Sequence, residues 1–211
     1  LFNLRRILMN KSFIIKIILL CLVTMKVNAI EKVILFGDSL MAGYGLPNEQ
    51  HLSVVLQKSL ELDGHNIKIV NGSVSGSTSA GGLNIAEWAL SENGIDLMIL
   101  CLGANDMLRG IQPSETKQNL ERIIKIAQLK KIKIILAGML APTSHGAEYK
   151  TKFDQIYLNL SKKYDLKLIP FLLEGVAFNP SLNLSDGMHP NREGTIVISE
   201  TLKKSILNYI N

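Results

Sequence analysis

The sequence predicts an α/β domain in which a mostly parallel, five-stranded sheet carries helices on both faces. Three observations lead there. After residue 30, short β-rich runs alternate with longer helical stretches. The short runs are almost continuously apolar, as strands covered on both faces are. The third is that a 211-residue chain, 47% hydrophobic, suits one domain with a continuous core and excludes disorder as the default.

The first strand is KVILFG (32–37), followed by a helix near 49–63. The second is IKIVNG (67–72), with a helix near 80–92. After the third, LMILCLG (97–103), Pro113, Ser114 and Glu115 mark a helix start near 114–130. Leu120, Ile123, Ile124 and Ala127 give that helix one buried face. The fourth strand, IKIILAG (132–138), leads to a helix near 148–164, and the fifth, LKLIP (166–170), precedes a last helix near 192–209. With no repeats, low-complexity tracts or Pro/Ser linkers, residues 30–211 read as one domain.

Residues 1–29 differ in composition. Arg5, Arg6, Lys11, Lys16 and Lys26 stand without an acid around the apolar run IILLCLVTM (17–25), which is too short to span a bilayer. Val27 and Ala29 occupy the small-residue positions read by a signal peptidase, so the segment is expected to be a secretory signal cleaved after Ala29. The expected product is a periplasmic monomer without a stable membrane anchor. A retained anchor and a lipoprotein signal at Cys21 are weaker readings, because Lys16 and Lys26 interrupt the run and Leu20 is large where a small residue is needed. Of the 23 Lys and Arg, five lie in this segment, which leaves 18 against 18 Asp and Glu. Near-neutral charge in the rest of the chain argues against nucleic acid as a partner. Cys101, the one cysteine after residue 30, lies in an apolar strand and reads as a buried inert thiol.

In an open parallel sheet, ligands bind beyond the carboxyl ends of the strands. The unusual residues collect there: GDSLMAGYG after strand one, NGSVSGSTSAGG after strand two, GANDMLRG after strand three, MLAPTSHGAEY after strand four, and a segment ending in SDGMHPNREG after strand five. Acyl transfer needs a hydroxyl, a base, a group that orients the base, and donors for an oxyanion. Ser39, His189 and Asp186 can fill the first three roles. Asp186 and His189 lie three residues apart on a turn, so the carboxylate can take the imidazole Nδ1 proton and leave Nε2 for Ser39. The side-chain amide of Asn105 and the backbone N–H groups of Gly76 and Ser39 are the candidate oxyanion donors.

Bland readings compete at each point. Alone, Gly37-Asp38-Ser39 reads as a strand-ending turn with Ser39 capping a helix. A phosphate cradle is disfavoured: neither glycine cluster has the G-x-G-x-x-G pattern opening a helix, or a Gly-Lys-Ser/Thr end. No His, Cys or Asp cluster has zinc spacing, and no metal or other cofactor is expected. Asp106 reads as a structural residue bonded to local backbone amides, and Trp88 as core. His51 and His65 read as residues on or beside a polar helix face. His145, after strand four, has no evident role.

Together, GDSL (37–40), SGST around Gly76, GAND (103–106) and DGMHP (186–190) resemble, in order, the four sequence blocks of the SGNH (GDSL) hydrolases. The resemblance covers essentially all of residues 30–211 and is closest to the bacterial thioesterase, lysophospholipase and arylesterase branch, with LRGIQP (108–113) and HPNREG (189–194) adding to it. Gly72 stands where relatives often carry alanine. The resemblance implies a flavodoxin-like three-layer sandwich, a Ser39/Asp186/His189 triad, an oxyanion hole of Ser39, Gly76 and Asn105, and hydrolysis of esters and thioesters through an acyl-serine. A carbohydrate deacetylase on the same triad, and a non-catalytic binding module on the same scaffold, are the alternatives.

For the acyl group, Leu46, Met107, Leu108, Ile111, Leu140 and Phe178 are apolar residues at the expected cleft edge, each of which can equally pack in the core or under a loop. Leu108 and Ile111 stand out, because a loop between Asn105 and Pro113 lies beside the candidate oxyanion donors.

Overall fold

The computed structural model describes residues 30–210. The expectations for the leader, including cleavage after Ala29 and the Cys21 alternative, lie outside the described residues.

Among the described residues, five strands form one sheet: β1 (Lys32–Gly37), β2 (Lys68–Asn71), β3 (Leu97–Cys101), β4 (Lys133–Ala137) and β5 (Lys167–Ile169). Their order is β2-β1-β3-β4-β5, and all four pairings are parallel. This is the flavodoxin-like order, which has its topological switch point between β1 and β3. The central strands β1, β3 and β4 are buried almost throughout, as their unbroken apolar runs predict. The edge strands β2 and β5 are shorter and expose Lys68, Asn71 and Lys167, which blunts them against pairing with another chain.

Among the described residues, seven α-helices connect and flank the strands: α1 (Ser39–Ala42), α2 (Leu52–Leu62), α3 (Ser79–Ala89), α4 (Ala104–Leu108), α5 (Pro113–Leu129), α6 (Ala147–Tyr164) and α7 (Arg192–Ile210). α2 packs on α7, while α3, α5 and α6 pack side by side, which makes three layers. α5 starts with Pro113 in its first turn and buries Leu120, Ile123, Ile124 and Ala127 as its periodicity predicts. No helix among the described residues is long and apolar enough to cross a membrane.

Several boundaries differ from the sequence expectation. The helix expected at 49–63 is a 3-10 turn (Asn48–Gln50) followed by α2, interrupted where His51 is extended. His51 does not lie on a polar face: its ring fills the space beside Gly43, and Nε2 reaches the Leu46 carbonyl at 3.1 Å. Strand three ends at Cys101 because Gly103, at φ 120°, turns the chain into α4. Trp88 is not core: α3 buries its small face of Ser79, Gly82, Ala86 and Ala89, which leaves the indole 78% exposed.

Candidate active site

The site begins where β1 ends. Gly37 pairs with Cys101 of β3, and a Cβ at Gly37 would lie 2.6 Å from the Cys101 carbonyl oxygen. The glycine is therefore required by close approach of the two strands. Asp38 follows with extended backbone and caps α1 by accepting the Leu40 N–H at 3.1 Å. The cap is thus Asp38, and Ser39 is the first helical residue. An N–H at that position has no intrahelical acceptor, and among the described residues the Ser39 N–H bonds to nothing else.

The loop after β2 continues beside β1: Gly72 N–H donates to the Leu35 carbonyl at 2.9 Å and Val74 N–H to the Gly37 carbonyl at 3.0 Å. A turn closed by Ser77 N–H on the Val74 carbonyl, at 3.0 Å, places Gly76 at φ 78°, a left-handed conformation suited to glycine. Like that of Ser39, the Gly76 N–H has no acceptor among the described residues.

Asn105 enters from α4, after β3. Its Nδ2 donates to the Ser77 carbonyl at 3.1 Å and lies 3.4 Å from Asp38 Oδ2, so one side chain joins the loops after β1, β2 and β3. The first bond engages one amide proton, while the second contact is at the long edge of hydrogen bonding. Asp38 itself is fully buried, and that burial pushes its carboxyl up to about 6 against the opposing pull of the Leu40 N–H, the Asn105 amide and the charge of His189.

The remaining groups come from the loop before α7. His189 Nε2 lies 2.9 Å from Ser39 Oγ, and His189 Nδ1 lies 2.7 Å from Asp186 Oδ2. The other carboxylate oxygen accepts the backbone N–H groups of His189 at 3.0 Å and Met188 at 2.9 Å. These bonds, the backbone pair first, hold the Asp186 carboxyl down to about 2. An ionised Asp186 fixes the imidazole proton on Nδ1, which leaves the Nε2 lone pair facing the hydroxyl. The turn is held by Leu184 N–H on the His189 carbonyl at 2.7 Å and by an antiparallel bridge between Asn183 and Pro190.

Every residue named for the triad and the oxyanion donors thus lies at the carboxyl edge of the sheet. The apolar candidates divide. Met107 is buried in the core, whereas Leu108 is 56% exposed, Ile111 is half-buried, and Phe178 is 91% exposed. Asp106 is structural, but its partners are not local: it accepts the backbone N–H of Ser79, 27 residues away, at 2.7 Å, and the hydroxyls of Ser79 and Thr116. Three contributors escaped sequence reasoning. Asp38 lies beneath Asn105, Tyr44 packs its ring on His189, and Arg109 Nη2 donates to the Gly76 carbonyl at 3.1 Å. Only Asp38 carried a signal, as a carboxylate at the end of a strand that is apolar from Val33 onward. No group of three or more His, Cys, Asp or Glu side chains among the described residues could hold a metal ion.

A hydroxyl, an imidazole and a carboxylate aligned beyond the strands of a parallel sheet make the equipment of an acyl-transferring hydrolase. The sequence profile of the GDSL-like Lipase/Acylhydrolase family matches residues 35–195, and the chain belongs to that family. The arylesterase of Vibrio mimicus is 32% identical over 182 residues, which cover 86% of this chain and 91% of that one. Thioesterase 1/protease 1/lysophospholipase L1 of Escherichia coli (strain K12) is 31% identical over 192 residues, 91% of each chain. The crystal structure of TesA superposes with a TM-score of 0.80 at 32% identity, covering 86% of this chain and all of that one. The chain is accordingly an ester-bond hydrolase on the family's α/β fold.

Proposed function

We propose that the protein hydrolyses carboxylic esters and thioesters of apolar acyl chains, with aryl esters, acyl thioesters and lysophospholipids as its substrate classes, through an acyl-Ser39 intermediate. The observation that carries this reading is the line of two contacts, Ser39 Oγ to His189 Nε2 at 2.9 Å and His189 Nδ1 to Asp186 Oδ2 at 2.7 Å. The names of the arylesterase and of the thioesterase/lysophospholipase relative support the substrate classes.

In the proposed reaction, Ser39 Oγ attacks the acyl carbon as His189 Nε2 takes its proton. The Ser39 and Gly76 N–H groups receive the oxyanion together with Asn105 Nδ2, whose long contact with Asp38 Oδ2 gives way to it. His189 then gives the proton to the departing alcohol or thiol. A water, deprotonated by the same nitrogen, attacks the acyl-serine and releases the carboxylic acid. Leu108 and Ile111 line the path of the acyl chain, where each buried methylene contributes about 0.8 kcal/mol.

The test is Ser39→Ala assayed on a p-nitrophenyl ester, with circular dichroism to confirm the fold. Loss of turnover in a folded variant is expected, and undiminished turnover overturns the reading.

We propose further that residues 1–29 are a secretory signal cleaved after Ala29 and that the remaining domain acts as a periplasmic monomer. The basic, acid-free flanks and the small residues at 27 and 29 support this. Intact mass and light scattering of protein from a periplasmic fraction test it. A retained leader or a dimer overturns the corresponding part.

A further inference from the structure

The chemistry described so far leaves unused the face of α6 that looks toward the β3–α5 connection. His145, Tyr149, Phe153 and Tyr157 follow one another at four-residue intervals, first in a 3-10 turn and then along α6, and so share one side. Their rings form a column. Centroids lie 5.3 Å apart for His145 and Tyr149, 6.0 Å for Tyr149 and Phe153, and 5.9 Å for Phe153 and Tyr157.

Each polar member of the column meets a main-chain carbonyl of the segment that carries Asn105, Leu108 and Ile111. Tyr157 donates to the Leu102 carbonyl at 3.0 Å, His145 Nε2 meets the Met107 carbonyl at 3.0 Å, and Tyr149 donates to the Ile111 carbonyl at 2.8 Å. A carbonyl only accepts, so His145 carries a proton on Nε2. Its Nδ1 is buried with no partner among the described residues, so one imidazole nitrogen goes unsatisfied while the other holds Met107. On the opposite flank, Arg109 fastens the same turn to the Gly76 carbonyl.

We propose that this aromatic column is a template for residues 102–111, and that His145 and Tyr149, at its outer end, are positioning residues that set acyl-chain preference. Neither touches the reacting atoms. They fix the height of the turn bearing Leu108 and Ile111, while Tyr157, at the buried end, holds the strand end next to Asn105. An acetyl group reaches only the donors around Ser39, whereas a medium-length chain must also lie along the turn. Loosening the outer fastenings therefore affects long substrates and spares short ones.

This inference rests on the proposed acyl chemistry at Ser39. It is tested with Tyr149→Phe, His145→Phe and His145→Gln, measuring kcat and KM on p-nitrophenyl acetate, hexanoate and decanoate. Tyr149→Phe keeps the ring and removes only the bond, and the Gln amide supplies a donor where His Nε2 stood. The expected result is a rise in decanoate KM of about fivefold in Tyr149→Phe and His145→Phe, as loss of one hydrogen bond implies. Acetate kinetics stay within about twofold, and His145→Gln restores the decanoate KM. A change equal at all three chain lengths, or none, overturns the proposal. Ser39→Ala in the same panel separates the two readings: if it retains activity the acyl chemistry falls, and if it is inactive while the column variants show no length dependence, this proposal alone falls.

Discussion

The ring of Tyr44 packs against the imidazole of His189 with centroids 4.4 Å apart and planes tilted by 37°. Tyr44 comes from the turn after α1 and His189 from the loop before α7, so an aromatic face covers the proposed base on a side that neither Ser39 nor Asp186 occupies. An aromatic face favours a neighbouring cation by about 0.5–1 kcal/mol at exposed sites, and the imidazole is a cation in both proposed transition states. Tyr44→Ala is expected to lower kcat about two- to fivefold on this basis, while Tyr44→Phe stays near wild type. Steady-state kinetics on one ester check it, and a Phe variant as impaired as the Ala variant would point to the hydroxyl instead.

Asp38 links the site to stability. Its carboxyl rises from 3.8 to about 6 through burial, so the folded state holds the proton more tightly than the unfolded one. The stabilisation from that proton is fully present below pH 3.8 and is lost as pH rises through about 6. About two pKa units correspond to about 3 kcal/mol against the fold once Asp38 is charged. Asp38→Asn should remove this dependence, raising the urea midpoint at pH 8 relative to pH 5 when compared with wild type. The same change leaves one oxygen for the two donors Leu40 N–H and Asn105 Nδ2, and should reduce kcat by up to about a hundredfold, the lower end of what losing one oxyanion donor costs. Equal pH dependence of stability in the two proteins would falsify the assignment.

Asp186 behaves in the opposite sense. With its carboxyl held down to about 2, it remains ionised wherever an imidazole titrates. Its contribution to stability is present above the unfolded carboxyl value and is lost as pH falls from about 4 toward 2. Asp186→Asn is therefore expected to lower kcat by about three to four orders of magnitude while circular dichroism is unchanged. An Asp186→Asn variant that keeps turnover within about tenfold of wild type would contradict that role.

The two glycines of the site should respond differently to alanine. At Gly37 the new Cβ would lie 2.6 Å from the Cys101 carbonyl oxygen, between two central strands, where backbone must move. At Gly76 nothing stands within 4 Å, and only the left-handed φ of 78° opposes a side chain. Gly76→Ala should cost about 1–2 kcal/mol, and Gly37→Ala clearly more, as overpacked cores do. Thermal midpoints decide it, and equal losses would show that the close approach of β1 and β3 is relieved cheaply.

Sequence reasoning reached the sheet because the central strands bury both faces and so leave an unambiguous apolar signature. It reached Ser39, Gly76, Asn105, Asp186 and His189 because each follows a strand in a recognisable block. It failed where a side chain's neighbours are remote. The partner of Asp106 is Ser79, that of Arg109 is Gly76, and the ring on His189 belongs to Tyr44. None of these pairs leaves a local pattern. α1 and α4 were missed because four and five residues show no periodicity, and Trp88 was misjudged because small residues form the buried face of α3.

The Asp186–His189 turn has one more consequence. Both partners, and the backbone amides that charge the carboxylate, lie within four consecutive residues, so base and orienter can form as a unit before the chain around them is finished. A single long-range separation, from His189 Nε2 to Ser39 Oγ across 150 residues of sequence, then decides whether that unit meets its nucleophile. Catalytic competence is thereby a reporter on the docking of the C-terminal segment: a refolding chain with its sheet assembled but α7 not yet seated on α2 would be native by strand content and silent by turnover. Comparing the recovery of ellipticity with the recovery of activity would time that final docking.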